Sequence, residues 1–473
     1  MLRLAIGAPG FEPGTSSTQS LRANQAALRP VCRRPSLVEV PTRPDCESVA
    51  WSPGMADVEP LRALHYNLER TGGLQDVVAP PYDVIDEDQR ADLEASSPYN
   101  VVRLDLPVGV DPYDNAARLL NAWREEDVIV RDEQPALWAL EQDYAGPDGR
   151  VRQRTGFLAR VRVEDYGPGR IRPHERTHPG PKEDRLRLTR ATKANLSPIF
   201  SLYDDPAGAA TRALAQATNG QDPWGQATDD DGTVNRLWRV GDAATVATIH
   251  DALDTTELLI ADGHHRYETA RVYAEEIGGE GPQRYVLMCL VSLEDPGLTV
   301  FPTHRLVRDL RPDQHETLAN VIRRDFDIKP LDSTDELVPT YGQPVSLGYI
   351  DAHFRKPWML TLKDQAIADA ALADHAPPYR RLDTAVLEAL ILKGALGMTD
   401  DDIDHLAGLG YARDFDQALQ LVNDGDYDAA FFVAATPIDE VRAVAAAGES
   451  MPPKSTYFFP KVPTGLLFNP LSE

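Results

Sequence analysis

From Leu61 onward, apolar and polar positions fall into two recurring spacings, and the chain reads as alternating strands and helices. Alternating or continuous apolar runs predict strands at ALWALEQDY (136–144), GFLARVRV (156–163), SPIFSLY (197–203), LWRV (237–240), ELLIA (257–261) and YVLMCLVSL (285–293). Further strands are predicted near 345–350 and 357–362, with a last one in DAAFFVAA. The helical spacing places Ala117, Leu120 and Trp123 on one side of a helix over 111–127. It predicts more helices over 182–194, 243–253, 264–277, 313–323, 382–394, 414–423 and 438–447. Gly and Asp crowd 204–233, which reads as loop, and VVAPPYDVI (77–85) as a Pro-interrupted extended segment. No repeat of fixed period is present.

Two stretches stand apart. The tail MPPKSTYFFPKVPTGLLFNPL is rich in aromatics and Pro, and exposing that much apolar surface is costly, so it is expected to pack along the body. Residues 1–54 carry six arginines against four acidic residues, show no helical or strand period, and lack the apolar core of a secretory signal. A transit peptide is one reading of them. The preferred one is that GAPGFEPGTSSTQSLRANQAALRP looks like a transfer-RNA gene read as protein, with the true start at Met55; an intact mass beginning upstream would defeat this. The expected organisation is that upstream extension (1–54), an N-terminal α/β segment (55–150), a central module (151–308) and a C-terminal α/β domain with its tail (309–473).

Composition narrows the function classes. A hydrophobic share of 42% supports packed cores. The formal charge of −26 argues against a protein that coats nucleic-acid phosphates, so DNA is not expected as partner. The longest apolar run, Ala429 to Ala435, falls far short of the roughly 18–20 residues that cross a bilayer, and no membrane association and a cytoplasmic location are expected. Cys289 lies inside an apolar run, where a buried strand thiol is expected; the three cysteines form no paired metal spacing.

Chemistry concentrates in ELLIADGHHRYETARVY (257–273), where an apolar strand hands over directly to a helix. The first N–H groups of such a helix and the positive end of its dipole suit an anion. Gly263 lets the backbone come close, Arg266 offers a bidentate donor to phosphate oxygens, His264 and His265 can donate hydrogen bonds, and Asp262 can hold Mg²⁺ against the same phosphate. Asp-Gly is also a common turn and Asp a good helix N-cap, so a purely structural reading stands beside this one. A metal-only site fits less well, since adjacent helical histidines diverge by about 100°.

LLIADGHHRYETA is similar to the DGHHR motif of the ADP-dependent free-serine kinases of the ParB/sulfiredoxin superfamily. More widely, VVAPPYDVI, IRPHERT, PKEDRLRL, SPIFSLY, ADGHHRYETA, FPTHRLV and the tail resemble the domain-of-unknown-function 1015 family over most of residues 60–470. The resemblance implies a mixed α/β (α+β) fold with a ParB/sulfiredoxin-like central module embedded in a larger multi-element body. It implies that the strand–loop–helix junction holds nucleotide phosphates, with ATP or ADP expected and CTP left open. It also implies that Glu175 of IRPHERT takes the proton from a substrate hydroxyl; the alternative is a loop glutamate paired with a neighbouring Arg. This chain departs from the kinases by a longer insertion between the two motifs and about 170 residues after them, which leaves the acceptor open.

Secondary candidates are His304 and Arg305 in FPTHR, Lys182, Asp184 and Arg185 in GPKEDR, Tyr82 and Asp83 in APPYD, and Lys454 and Lys461 in the tail. Lys182 and Arg305 are assigned to the nucleotide side, and Glu175, Asp262 and His264 to catalysis. The leading expectation is a nucleotide-dependent phosphotransferase with a small hydroxylated acceptor, serine being the first to try. The alternatives are a ParB-like nucleotide-binding regulator without turnover, or a phosphatase or other hydrolase using the same anion pocket.

Overall fold

The computed structural model describes residues 56–146, 149–175, 179–254 and 256–472. The chain has a mixed α+β fold organised by two large sheets. The larger one takes its strands from the first two thirds of the sequence. Across it run Ile171–Arg172, Leu258–Asp262, Ile199–Tyr203, Tyr285–Ser292, Val151–Arg162, Leu137–Ala145, Val234–Val240 and Gly225–Thr228, with Val58–Glu59 added to Val151–Arg162. Leu258–Asp262 pairs parallel with Ile171–Arg172 and antiparallel with Ile199–Tyr203, and the register slips between Ile260 and Asp262. That irregularity sits where the strand must release the chain into the helix His264–Ile277.

Period-2 patterning explains why this sheet is covered on both faces. Along Tyr285–Ser292, Val286, Met288 and Leu290 join one apolar cluster, while Leu287, Cys289 and Val291 join another. The first cluster also takes in Phe157, Ile199, Ile260 and Tyr267. The second runs on through Phe200, Met451, Phe458 and Phe468 into side chains of the C-terminal sheet such as Leu347 and Leu360. Cys289 is buried as expected, and burial pushes its thiol up to about 12. The second sheet orders Phe326–Pro330, Trp358–Leu362, Ser346–Asp351, Ala429–Phe432, His304–Val307 and Leu409–Ala412, each neighbouring pair antiparallel.

The helices Pro112–Glu125, Ala243–Leu253, His264–Ile277, Pro312–Asp325, Phe415–Asn423 and Ile438–Ala446 lie where the apolar spacing puts them. Two regions differ from expectation. Residues 204–233 are not all loop: they hold the helix Ala209–Thr218 and the strand Gly225–Thr228. The segment AATRALAQAT consists largely of good helix formers, and its run outweighs the Gly and Asp on either side. The helix expected over 382–394 begins as the α-turn Asp383–Leu387 and widens into a π-helix, Glu388–Lys393. In that geometry residues five apart stack, and Lys393 Nζ meets Glu388 at 2.8 Å.

The tail packs along the body. Tyr457–Phe459 pairs with Thr299–Phe301, Asn469–Pro470 pairs with Ala194–Asn195, and Phe458, Leu466, Leu467 and Phe468 are buried. No helix among the described residues is long and apolar enough to cross a membrane. Residues 1–54, with the proposed start at Met55, lie outside the described residues.

Candidate functional site

The strand Leu258–Asp262 is buried up to Ala261, and Asp262 is the first residue to emerge from the sheet. Gly263 then turns the chain with φ +96°, and a Cβ there would meet the Arg266 guanidinium at 3.0–3.1 Å. Only glycine adopts this turn without strain while letting Arg266 fold back over it. Gly263 is the N-cap of His264–Ile277 and supplies no side-chain cap. Asp262 does not cap the helix either: its carboxylate binds Arg266 Nη2 at 2.6 Å and the Lys461 ammonium from the tail. The turn-plus-cap reading of Asp-Gly thus fails at the cap.

Electrostatics at Asp262 follow from these pairs. Burial alone would raise its carboxyl, but Lys461 and Arg266 beside it hold it well below the usual carboxylate range. Burial alone would lower Lys461, but Asp262, Asp83 and Tyr457 together outweigh it and raise the ammonium. Arg266 is anchored from its other nitrogen, Nη1, which donates to Ser197 Oγ at 2.7 Å and to the Pro198 carbonyl.

His264 is buried, and its Nε2 accepts the backbone N–H of His174 at 3.3 Å. Burial, with His174 packed against it at a 4.7 Å ring separation, holds this imidazole well below its ordinary value, so it is neutral. His264 therefore ties the 174–175 segment to the corner and does not present Nε2 outward as a phosphate donor. His174 donates from Nδ1 to the Ile260 carbonyl at 2.6 Å, which leaves Nε2 to accept the Thr456 hydroxyl at 2.8 Å. Sequence reasoning did not single out His174, and only its place inside IRPHERT could have flagged it. His265 is half-buried one step round the same helical turn.

Glu175 is thereby brought beside the DGHHR turn, although 87 positions separate it from Asp262 in sequence. Its Oε1 accepts the Lys454 backbone N–H at 3.1 Å, and its backbone bridges to Met451. Among the described residues no Arg–Glu175 ion pair is formed. Arg305 is buried within electrostatic reach of Glu175, Asp383 and Glu388, donating to the carbonyls of Thr303 and Pro453 and lying 5.1 Å from the Tyr411 ring centroid. It sits on the Glu175 side of the corner, away from the Asp262–Arg266 pair to which the nucleotide was assigned. His304, its neighbour, is buried, and desolvation takes it down to about 4.

On the opposite flank, Arg185 is buried too and is not the solvated helix charge its sequence suggests. It binds Asp105 Oδ1 at 3.0 Å and Asp184 Oδ2 at 2.6 Å, and stacks 4.2 Å from the Tyr82 ring centroid. Burial pushes Tyr82 up to about 12. Lys182 enters through its carbonyl, which accepts Thr269 Oγ1 at 3.5 Å.

The tail closes the site. Met451 N–H donates to the His174 carbonyl at 2.7 Å, Phe458 packs on His174 and Phe200, and Ser197 Oγ meets Thr464 Oγ1 at 3.0 Å. A buried polar chain fixes the tail at Lys461. Arg154, stacked on Phe200, donates to the Pro460 carbonyl at 2.6 Å, and Gln142 donates to the Lys461 carbonyl at 3.0 Å. Among the described residues no cluster of three or more His, Cys, Asp or Glu is arranged to hold a metal. A larger, mostly apolar hollow of about 890 Å³ lies elsewhere, between the helix Pro312–Asp325 and Trp358 and Tyr349, and none of these site residues lines it.

The family model described as a protein of unknown function, DUF1015, matches residues 58–385. No curated protein matches the chain. Among solved structures, a conserved hypothetical protein from Pyrococcus furiosus aligns at 14% identity, covering 62% of this chain and 89% of its own, with a TM-score of 0.32. A free serine kinase variant in complex with AMP aligns at 11% identity, covering 61% and 83%, with a TM-score of 0.33. SbnI from Staphylococcus aureus, truncated at its C-terminus, aligns at 12% identity over 64% and 82%, with a TM-score of 0.33.

Proposed function

The chain belongs to the DUF1015 family, and we propose that it is a nucleotide-dependent phosphotransferase whose reaction takes place at the Asp262–Arg266 corner. The observation that carries this is the meeting of an uncapped helix N-terminus, two cationic side chains and a carboxylate segment at one point. In this assignment the N–H groups that open His264–Ile277, with Arg266 and Lys461, take the charge of a polyphosphate. Glu175 accepts the proton of an attacking hydroxyl, and His174 and His264 hold the glutamate's segment against the phosphates. Positioning and charge neutralisation supply most of what phosphoryl transfer needs. Lys461 and Arg266 are now shared with Asp262, so an incoming phosphate competes with that carboxylate for them.

A single carboxylate already paired on both oxygens is not a resident Mg²⁺ site. An ion serving this reaction comes bound to the polyphosphate, as Mg²⁺ with its few carboxylate ligands commonly does. ATP and ADP are the first nucleotides to test, and serine, by the resemblance of the DGHHR motif, the first acceptor. The full chain incubated with Mg²⁺, ADP or ATP and a panel of small hydroxylated compounds, with water as control acceptor, should convert nucleotide and phosphorylate one of them. Replacing Glu175→Gln should then lower turnover by about 10²–10⁴-fold while nucleotide binding persists. Absence of both product and any nucleotide-induced rise in Tm overturns the assignment.

A second reading, a nucleotide-binding regulator without turnover, draws on the engagement of both candidate carboxylates by tail groups, Glu175 by Lys454 N–H and Asp262 by Lys461. Nucleotide binding without product from any acceptor would favour it.

A further inference from the structure

A second carboxylate stands beside the phosphate corner. Asp83 lies in the turn Tyr82–Val84, at the end of APPYD. Two contacts fix this segment in place. Ala79 exchanges both backbone hydrogen bonds with Thr464, at 3.1 and 2.8 Å, three residues beyond Lys461 in the tail. Tyr82 lies with its ring centroid 4.2 Å from the Arg185 guanidinium, and it lines one small cavity together with Arg266. Pro80 and Pro81 restrict the backbone between these two anchors. The loop is thereby held on the Lys461 side of the corner, where the Lys461 ammonium sits 4.7 Å from the Tyr457 ring centroid. Asp83 is within electrostatic reach of both Lys461 and Tyr457.

The two carboxylates differ in what they hold. Asp262 has both oxygens engaged, one by Arg266 and one by Lys461. Asp83 is exposed, and among the described residues its carboxylate accepts no hydrogen bond and joins no ion pair. Such a group opposes a bare polyphosphate, because like charges repel at close range. A divalent cation reverses the sign. Mg²⁺ keeps several waters and is held by substrate phosphates plus one or two protein carboxylates. Asp83 can supply that oxygen without breaking any pair inside the protein. We propose that Asp83 is the carboxylate that meets the Mg²⁺ arriving on the polyphosphate, so that the corner accepts the metal complex of a nucleotide and disfavours the free nucleotide. The proposal rests on the assignment of the corner to nucleotide phosphates. It gives to Asp83 the metal-binding part that the paired oxygens of Asp262 leave open.

Calorimetric titration of the full chain with ADP and with ATP, once in Mg²⁺ and once in EDTA, reads both sides of the proposal. The parent should bind the Mg²⁺ complex about tenfold or more tighter than the free nucleotide. Asp83→Asn keeps the size and removes the charge, and it should move the two affinities in opposite directions. The Mg²⁺ complex should bind about tenfold more weakly, and the free nucleotide more tightly than it binds the parent. Asp83→Glu should retain the parent's preference for the metal complex. A substitution that only loosened the loop would weaken both forms alike, so equal weakening in Asp83→Asn would overturn the proposal. So would an Asp83→Asn protein with the parent's preference, or a parent that binds both forms equally tightly. Each of these three results leaves the phosphate corner standing. A parent that binds neither form would bring down the corner and the proposal together.

Discussion

At the scale of single residues, Asp262 is the hub: one carboxylate holds a guanidinium four residues away and an ammonium 199 residues away. All three side chains are between 11% and 16% exposed. Asp262→Asn therefore strands two cations, and urea unfolding should show a loss of about 3–5 kcal/mol. Lys461→Met should cost less, because Arg266 still balances the carboxylate. The pH dependence has a definite sign. Asp262 lies below its unfolded value in the native chain, so its contribution is complete above that value and disappears as acid protonates it. The sequence singled out Asp262 and Arg266 within one short motif but gave them to Mg²⁺ and phosphate; that they pair with each other, across the turn from strand to helix, appears only in the structure. Lys461 was named only as a tail residue, without its partner, and His174 was not singled out. Their partners lie 199 and 90 positions away, and no local periodicity encodes contacts at that separation.

At the scale of elements, the tail is a structural wall as much as a functional one. Phe458 is 1% exposed and edges against both His174 and Phe200. Phe458→Ala should lower global stability by about 3–5 kcal/mol, read from denaturant midpoints. Because it also removes the packing behind His174, hydrogen exchange should rise around 171–175 beyond what the global loss explains. The regular strands and helices were largely readable, because alternation and the 3.6-residue spacing are properties of adjacent residues. The helix Ala209–Thr218 was hidden by flanking Gly and Asp, and the π-turn Glu388–Lys393 by the lack of any spacing that separates it from an α-helix. The tail's apolar character predicted that it packs, but not where. Its route is set by scattered acceptors such as the His174 carbonyl and Glu175.

At the scale of the whole molecule, buried titratable groups set the acid response. Burial lowers His174, His264 and His304, the last to about 4, so all three are neutral when folded and take up protons on unfolding. Each contributes stability that is whole above about 6.5 and is lost as pH falls toward its folded value. Asp383 works the other way: burial raises it to about 6, so acidification from 6 toward 4 relieves a cost. Asp229, raised by burial to about 7, acts in the same direction as Asp383, so buried carboxyls and buried histidines oppose one another as the solution is acidified. Removing one opposing carboxyl with Asp229→Asn should therefore make stability, read by denaturant titration, fall more steeply from pH 7 to pH 5 than in the parent chain, and an unchanged profile would contradict the raised carboxyl. The path of residues 451–464 has one more consequence. Ribosomes build chains from the N-terminus, so Lys461 is made after every other residue that touches Asp262. A nascent chain halted at residue 450 thus carries both sheets' worth of sequence and the Asp262–Arg266 pair but not the Lys461 contact that completes the corner.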